Sequence, residues 1–166
     1  MVDTSSNDRP RSVVHAYTDG GTAPRNPGPG GWGVVLQYGS HTKELCGGTA
    51  DDTTNIVMEM TAAAEALEAL SRPCEVHVFT DSRFVIDGIT KWVDGWAKRG
   101  WVKRDGSPVQ NPELWQRIQL AVRCHESVVW HWVKGHSGNP GNERADALVA
   151  QGRRGAVEKA REVLNV

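Results

Sequence analysis

Two apolar runs in this chain stop on the same dipeptide. "AYTDGG" (16–21) leads into Thr18-Asp19, and "VFTDSRF" (78–84) leads into Thr80-Asp81. A buried strand that finishes on a carboxylate suggests an acid carried to the rim of a sheet. In open α/β sheets, sites gather beyond the carboxyl ends of the strands. Either aspartate alone is equally well explained as a turn former or a helix N-cap. The repetition is what points to two acids on one sheet edge.

The surrounding pattern specifies the kind of sheet. Residues 12–18 read as a strand, and the Gly- and Pro-dense stretch 20–31 reads as a loop. "WGVVLQYGS" and "TKELCGGTA" form two strands turning at Gly39-Ser40. Across 55–71, Met60, Ala63, Ala64, Leu67 and Leu70 keep the spacing of an amphipathic helix. "EVHVFT" is a strand, 82–98 one or two helices around Gly88, and 99–110 a loop. A helix then starts with Asn111 as N-cap and Pro112 at its first position. "SVVWHWVKG" is the last strand, "HSGNPG" a loop, and "NERADALVAQG" a helix closed by Gly152. Hairpin-linked strands followed by helical crossovers imply an α/β fold with a mixed sheet and helices on its faces.

At 166 residues the chain fits one domain. We place the domain at 12–152, a polar disordered arm at 1–11, and a weakly amphipathic tail at 153–166 that frays as a helix. No apolar run approaches membrane-spanning length. Cys46, Cys74 and Cys124 are odd in number and lack CxxC spacing, which argues for free thiols, against a zinc site and for a cytoplasmic location.

Two more acids join the pair. On the helical wheel Glu59 falls beside Ala63, Ala66 and Leu70 at the edge of the apolar stripe, whereas Glu65 and Glu68 turn away. Glu59 therefore leans toward the sheet, where a carboxylate is costly unless satisfied; the alternative is a glutamate reaching out to water. Asp146 lies one turn into the last helix, where an acid also complements the helix N-terminus. If the four converge, they repel and hold protons unless a cation neutralises them. Hard divalent ions, Mg²⁺ above all, take such oxygen ligands together with phosphates.

A second feature is electrostatic. The whole chain carries −1, yet residues 91–104 contain Lys91, Lys98, Arg99, Lys103 and Arg104 against the single Asp94, a local +4. Three of the seven tryptophans, Trp92, Trp96 and Trp101, lie in the same stretch. Either they pack a satellite core under solvated lysines, or the segment is an arm that sets cations on phosphates and rings on sugars or bases. Both hold together if Trp96 is buried and Trp92 exposed.

Taken in order, "YTDGG…NPGPGGWG", "MEMTAAAEAL", "FTDSRFVIDGITKWVDGWAKRGW", "NPELWQRI" and residues 132–150 resemble type 1 ribonuclease H over roughly 12–151. The resemblance implies a ribonuclease H-like, five-stranded mixed sheet flanked by helices. It implies an Mg²⁺-dependent endonuclease, with two ions per active site and Mn²⁺ as substitute, that cuts the RNA strand of RNA–DNA hybrids. The products would carry 5′-phosphate and 3′-hydroxyl ends. By motif, Asp19, Glu59, Asp81 and Asp146 become metal ligands, and His136 the mobile catalytic histidine. The segment Lys91–Arg104, extending to about 105, becomes the hybrid-binding arm. Asn26, Thr54, Asn55 and Arg83 become further substrate contacts, and the protein is expected to act as a monomer. The chain departs from the family pattern at Ile56 and Val57, at Arg83 where Gln is frequent, and at Asp52 where a phosphate-binding Arg is frequent. The loop after Asp19 is one residue longer than usual, which displaces Asn26.

Overall fold

The computed structural model describes residues 12–165; the expected arm 1–11 lies outside them. Five strands form one sheet: β1 (Val13–Thr22), β2 (Gly28–Tyr38), β3 (His41–Thr53), β4 (Glu75–Thr80) and β5 (Ser127–Trp132), ordered β3-β2-β1-β4-β5. β1–β2 and β2–β3 pair antiparallel, and β1–β4 and β4–β5 parallel, so the sheet is mixed as the pattern implied. β2 and β3 turn at Gly39, whose φ of +56° suits a residue without Cβ.

One face carries the main core. Val14 and Ala16 of β1, Val34 and Leu36 of β2, and Val76 and Val78 of β4 meet Ala62, Ala66 and Leu67 of α1 (Asn55–Glu68). The alanine-rich stripe of α1 lets the helix lie close to the strands. Thr54 caps α1 by accepting a hydrogen bond from Val57 N at 3.2 Å. Glu65 and Glu68, on the outward face, hold Arg117 of α4 (Pro112–Arg123) through bonds of 2.8–3.0 Å.

After β4 the chain forms α2 (Arg83–Asp87), one π-helical turn (Gly88–Trp92) and α3 (Val93–Lys98). These pack with α4 into a second cluster around Trp96, Trp115 and Ile118. Asn111 precedes α4 with φ 54° and makes no side-chain capping bond, so the expected N-cap role is not filled. Pro112 does occupy the first turn of α4.

Two expectations give way to packing against α5 (Pro140–Leu164). The stretch 20–31 is not all loop: β1 continues to Thr22 and β2 begins at Gly28. A Cβ on Gly31 would stand 2.1 Å from Val149 O, so glycine there serves a close strand–helix approach rather than a turn. Gly152 likewise does not close the helix; α5 runs through it to Leu164 and takes up most of the expected tail. A Cβ on Gly152 would meet Gly47 O at 2.2 Å, so its small size admits β3, and the rest of α5 sustains the helix. α5 covers β1, β2 and β3 on the second face. Among the described residues no helix covers β4 and β5 there. None is long and apolar enough to cross a membrane.

Candidate active site

Each acid arrives by a distinct local device. Asp19 stands near the end of β1 beside Gly20, where a Cβ would lie 2.3 Å from the Met58 carbonyl carbon. That close approach draws β1 onto α1 and puts Asp19 next to Glu59. Asp81 follows the last residue of β4. Ser82, not Asp81, caps α2 by accepting from Val85 N at 3.3 Å, so the Asp81 carboxylate is left for other work. Trp132 Nε1 donates to the Asp81 backbone carbonyl at 3.1 Å. From the other side, Gly135 lies so close that a Cβ would be 2.7 Å from Asp81 Oδ2.

Ligand oxygens of Asp19, Glu59 and Asp81 lie within 4.8 Å of one another. Asp146 is outside that group, exposed on α5, but close enough for its charge to act on Asp19. Burial first, then the charge of Asp81, pushes Asp19 up to about 8, against a stabilising bond from Gly20 N at 2.9 Å. Burial also raises Glu59 to about 7, partly countered by a hydrogen bond with Ser82. Asp81 Oδ1 is buried and has no hydrogen-bond partner.

An orphaned, buried carboxylate oxygen beside two acids that retain protons is a cluster lacking positive charge. A divalent cation with oxygen preference fits it. No lysine, arginine or histidine pairs with the three acids among the described residues.

The basic segment forms a groove rather than a flat patch. A cavity of about 940 Å³ is lined by Thr54, Lys91, Trp92, Arg99, Lys103 and Arg104, with Trp96 and Trp115 at its base. Lys98 is exposed but does not line it. Trp92 is 38% exposed and Trp96 9%, so Trp96 packs in the second cluster and Trp92 is left accessible. Lys91 pairs with Asp87 at 3.0 Å, and Arg99 Nε braces the Val102 carbonyl at 3.2 Å.

Asn55 Oδ1 accepts from Thr22 N and Oγ1 at 2.9 and 3.0 Å, and Asn26 Oδ1 accepts from Asn55 N at 3.2 Å. Both amides therefore use their oxygens to pin the loop to α1, which leaves NH₂ as the donor end. The longer loop has not detached Asn26 from this corner. Arg83 stacks over Trp132, 3.9 Å from the ring centroid. His136 is exposed at φ 54° in the loop after β5. Sequence reasoning missed Arg25, which pairs with Asp52 at 2.9 Å and so brings a cation where the pattern lost one. It missed Trp132 as a brace for Asp81. The only signal was an aromatic at the end of a strand next to "VKGH".

The RNase H family model matches residues 11–154. The chain belongs to the RNase H family. It is 55% identical over 139 residues to Ribonuclease H of Rhizobium meliloti (strain 1021), covering 84% of this chain and 89% of that protein. It is 56% identical over 142 residues to Ribonuclease H of Halorhodospira halophila (strain DSM 244 / SL1), covering 86% and 93%. Among solved structures it resembles LC9-RNase H1, described as a type 1 RNase H with the type 2 active-site motif. The TM-score is 0.77 at 33% identity, covering 90% of this chain and 75% of that one. The RNase H assignment thus spans the sheet, the acid cluster and the basic groove together.

Proposed function

We infer that this chain is an endonuclease that hydrolyses the RNA strand of RNA–DNA hybrids, leaving 5′-phosphate and 3′-hydroxyl ends. The observation that carries it is the buried three-carboxylate pocket with an orphaned oxygen, in a chain of RNase H family. Asp19, Glu59 and Asp81 would hold the metal, with Asp146 completing the set from α5. Bound there, Mg²⁺ or Mn²⁺, two ions with substrate, would supply the positive charge that makes a water acidic and offsets charge on the departing 3′ oxygen.

The protein residues do the rest. The protons that Asp19 and Glu59 retain leave as the pocket is neutralised, so loading is favoured at higher pH. Lys91, Trp92, Lys98, Arg99, Lys103 and Arg104 hold the hybrid backbone through charge and ring contact. The NH₂ groups of Asn26 and Asn55 and the hydroxyl of Thr54 offer contacts at the corner of α1. A 2′-hydroxyl there would distinguish RNA from DNA. Arg83, stacked on Trp132, presents a guanidinium next to the acid cluster. His136 moves a proton at its ring nitrogen and assists product release, in a loop containing Gly135 and Gly138 that permits the motion. The free thiols fit a reducing cytoplasm, and one domain fits action as a monomer.

The test is cleavage of end-labelled RNA–DNA hybrid, duplex DNA and duplex RNA, with Mg²⁺ or Mn²⁺ and with EDTA. Metal-dependent cutting of the hybrid's RNA strand alone is expected. An intact hybrid at saturating metal, or equal cutting of duplex DNA, would overturn the reading.

A further inference from the structure

The half of the sheet's second face that α5 leaves uncovered carries a cluster unconnected with the acid pocket. His15 of β1, His77 and Phe79 of β4, and His131 of β5 point to this side, alternating with the buried Ala16, Val76, Val78 and Thr80. His77 Nδ1 and His131 Nε2 face each other at 2.8 Å, and His77 Nε2 lies 3.0 Å from Glu75 Oε1. The His77 and Glu75 side chains are 23% and 28% exposed, so solvent ions reach them.

We propose that His77 and His131 bind one first-row transition-metal ion, of the Zn²⁺, Ni²⁺ or Cu²⁺ class, with Glu75 orienting the first ligand. The hydrogen bonds decide which nitrogens are available. An ionised carboxylate only accepts, so Glu75 requires the proton of neutral His77 to sit on Nε2. Nδ1 then carries the lone pair, and it is filled by the proton on His131 Nε2. The two nitrogens that would ligate an ion already converge, and a proton holds the position between them.

Replacing that proton requires the two nitrogens to part and each ring to swing by roughly 35°, so that both lone pairs meet at an ion off the N–N line. At about 2.0–2.1 Å from each nitrogen and a tetrahedral angle, the two nitrogens stand about 3.3 Å apart, roughly half an ångström wider than now. The His131 proton moves to Nδ1 through solvent, so the ring stays neutral and no charge is stranded. Ligating histidines typically donate their second N–H to a carboxylate, which fixes tautomer and ring direction. Glu75 and His77 hold this relation before any ion is bound. Phe79 stacks on His131 with centroids 4.7 Å apart and planes 13° apart, so the second ligand is also held in its plane. His15 flanks the pair, its centroid 5.5 Å from that of His77, and water completes the coordination.

Two imidazoles select against the ion class that the acid pocket takes. Imidazole suits Zn²⁺, Ni²⁺ and Cu²⁺, whereas carboxylate and water suit Mg²⁺. One molecule thus offers a hard-ion site at the sheet's edge and a borderline-ion site on its open face. The second site ties the parallel neighbours β4 and β5 together. It rests on side-chain geometry alone and stands or falls independently of the nuclease reading.

The experiment uses the full chain carrying Asp19→Asn, so that the acid pocket does not compete. Cu²⁺ is titrated and followed by electron paramagnetic resonance, and thermal unfolding is recorded with and without Zn²⁺. The expected result is one Cu²⁺ per chain with two coupled nitrogens, and an unfolding midpoint raised by Zn²⁺. Adding His77→Gln or His131→Gln should weaken Cu²⁺ at least tenfold and remove the Zn²⁺ shift. Glu75→Gln should weaken it roughly tenfold while keeping two nitrogens in the spectrum. Circular dichroism confirms each variant's fold, and Phe replaces Gln at either histidine if the Gln variant does not fold. Equal affinity with and without His131, or a spectrum lacking nitrogen coupling, would overturn the proposal.

Discussion

The acid pocket and the basic groove solve opposite electrostatic problems. In the pocket, Asp19, Glu59 and Asp81 lie within 4.8 Å of one another, partly desolvated, with Asp81 Oδ1 unpaired. In the groove, the cations stand exposed on a frame built from Trp96, Trp115 and Val109. Buried like charges are costly and respond in an all-or-none way to a single cation. Exposed charges are screened, individually weak and additive. The pocket therefore trades stability for readiness, and the groove costs the fold almost nothing.

The largest effect belongs to the pocket. Asp19→Asn or Asp81→Asn should lower the rate of hybrid cleavage by about 10³ or more, since one ligand and one charge are lost. The same variants should unfold at equal or higher denaturant in EDTA, because repulsion falls. A variant that loses activity and stability together would mean that the acids hold the fold rather than a metal. Near-normal cleavage would remove the assignment.

The pH dependence of metal-free stability is the next largest. Asp19 titrates near 3.8 when unfolded and near 8 when folded, and Glu59 moves from 4.5 to about 7. Between those values the folded chain holds protons that the unfolded chain has released. Stability in EDTA should thus fall as pH rises from about 4 to about 8, by several kcal/mol, and level off outside that window. Mg²⁺ should flatten the decline, and Asp19→Asn should remove most of it. Urea midpoints measured across that range, with and without Mg²⁺, provide the check. A rise with pH in EDTA would contradict the repulsive origin.

The groove predicts a smaller, salt-sensitive effect. Neutralising Lys98, Arg99, Lys103 and Arg104 together should raise KM up to about a hundredfold at moderate salt. It should also reduce the slope of log KM against log salt by about two to four. The four charges should contribute in increments, unlike the acids. Lys98, which does not line the groove, should contribute least. An unchanged slope would take the arm out of substrate binding.

The acids were legible because each sits where one pattern stops: Asp19 and Asp81 at strand ends, Glu59 at the edge of an alanine stripe. Glu65 and Glu68 were legible as outward for the same reason, though their partner Arg117 was not. What sequence reading missed depends on tertiary proximity. Gly31 and Gly152 look like turn and stop signals until α5 is laid on the sheet, where each admits a neighbouring backbone within a Cβ's radius. Asp146 appeared equivalent to the other acids, but its place on α5 leaves it outside the tight group of three. His15, His77 and His131 alternate with apolar residues and so read only as the polar side of strands. Their convergence needs the parallel register of β1, β4 and β5.

His136 tests the boundary between the two regimes. It belongs to neither: it is exposed like the groove, yet the residue before it, Gly135, lies against Asp81. If it only adds a surface cation, His136→Ala should act like loss of one lysine, raising KM slightly and leaving kcat unchanged. If it moves a proton for the reaction, kcat should fall about tenfold while KM stays level. Water can replace an exposed imidazole, which keeps the loss below the usual range for general acid–base groups. The pH profile of kcat should also lose a limb in the variant. The competing structural effect can be controlled, because Gly135→Ala would crowd Asp81 Oδ2 and disturb the pocket directly. A kcat loss in His136→Ala with unchanged metal affinity assigns the histidine to proton transfer. A KM change alone, steep in salt, assigns it to the groove.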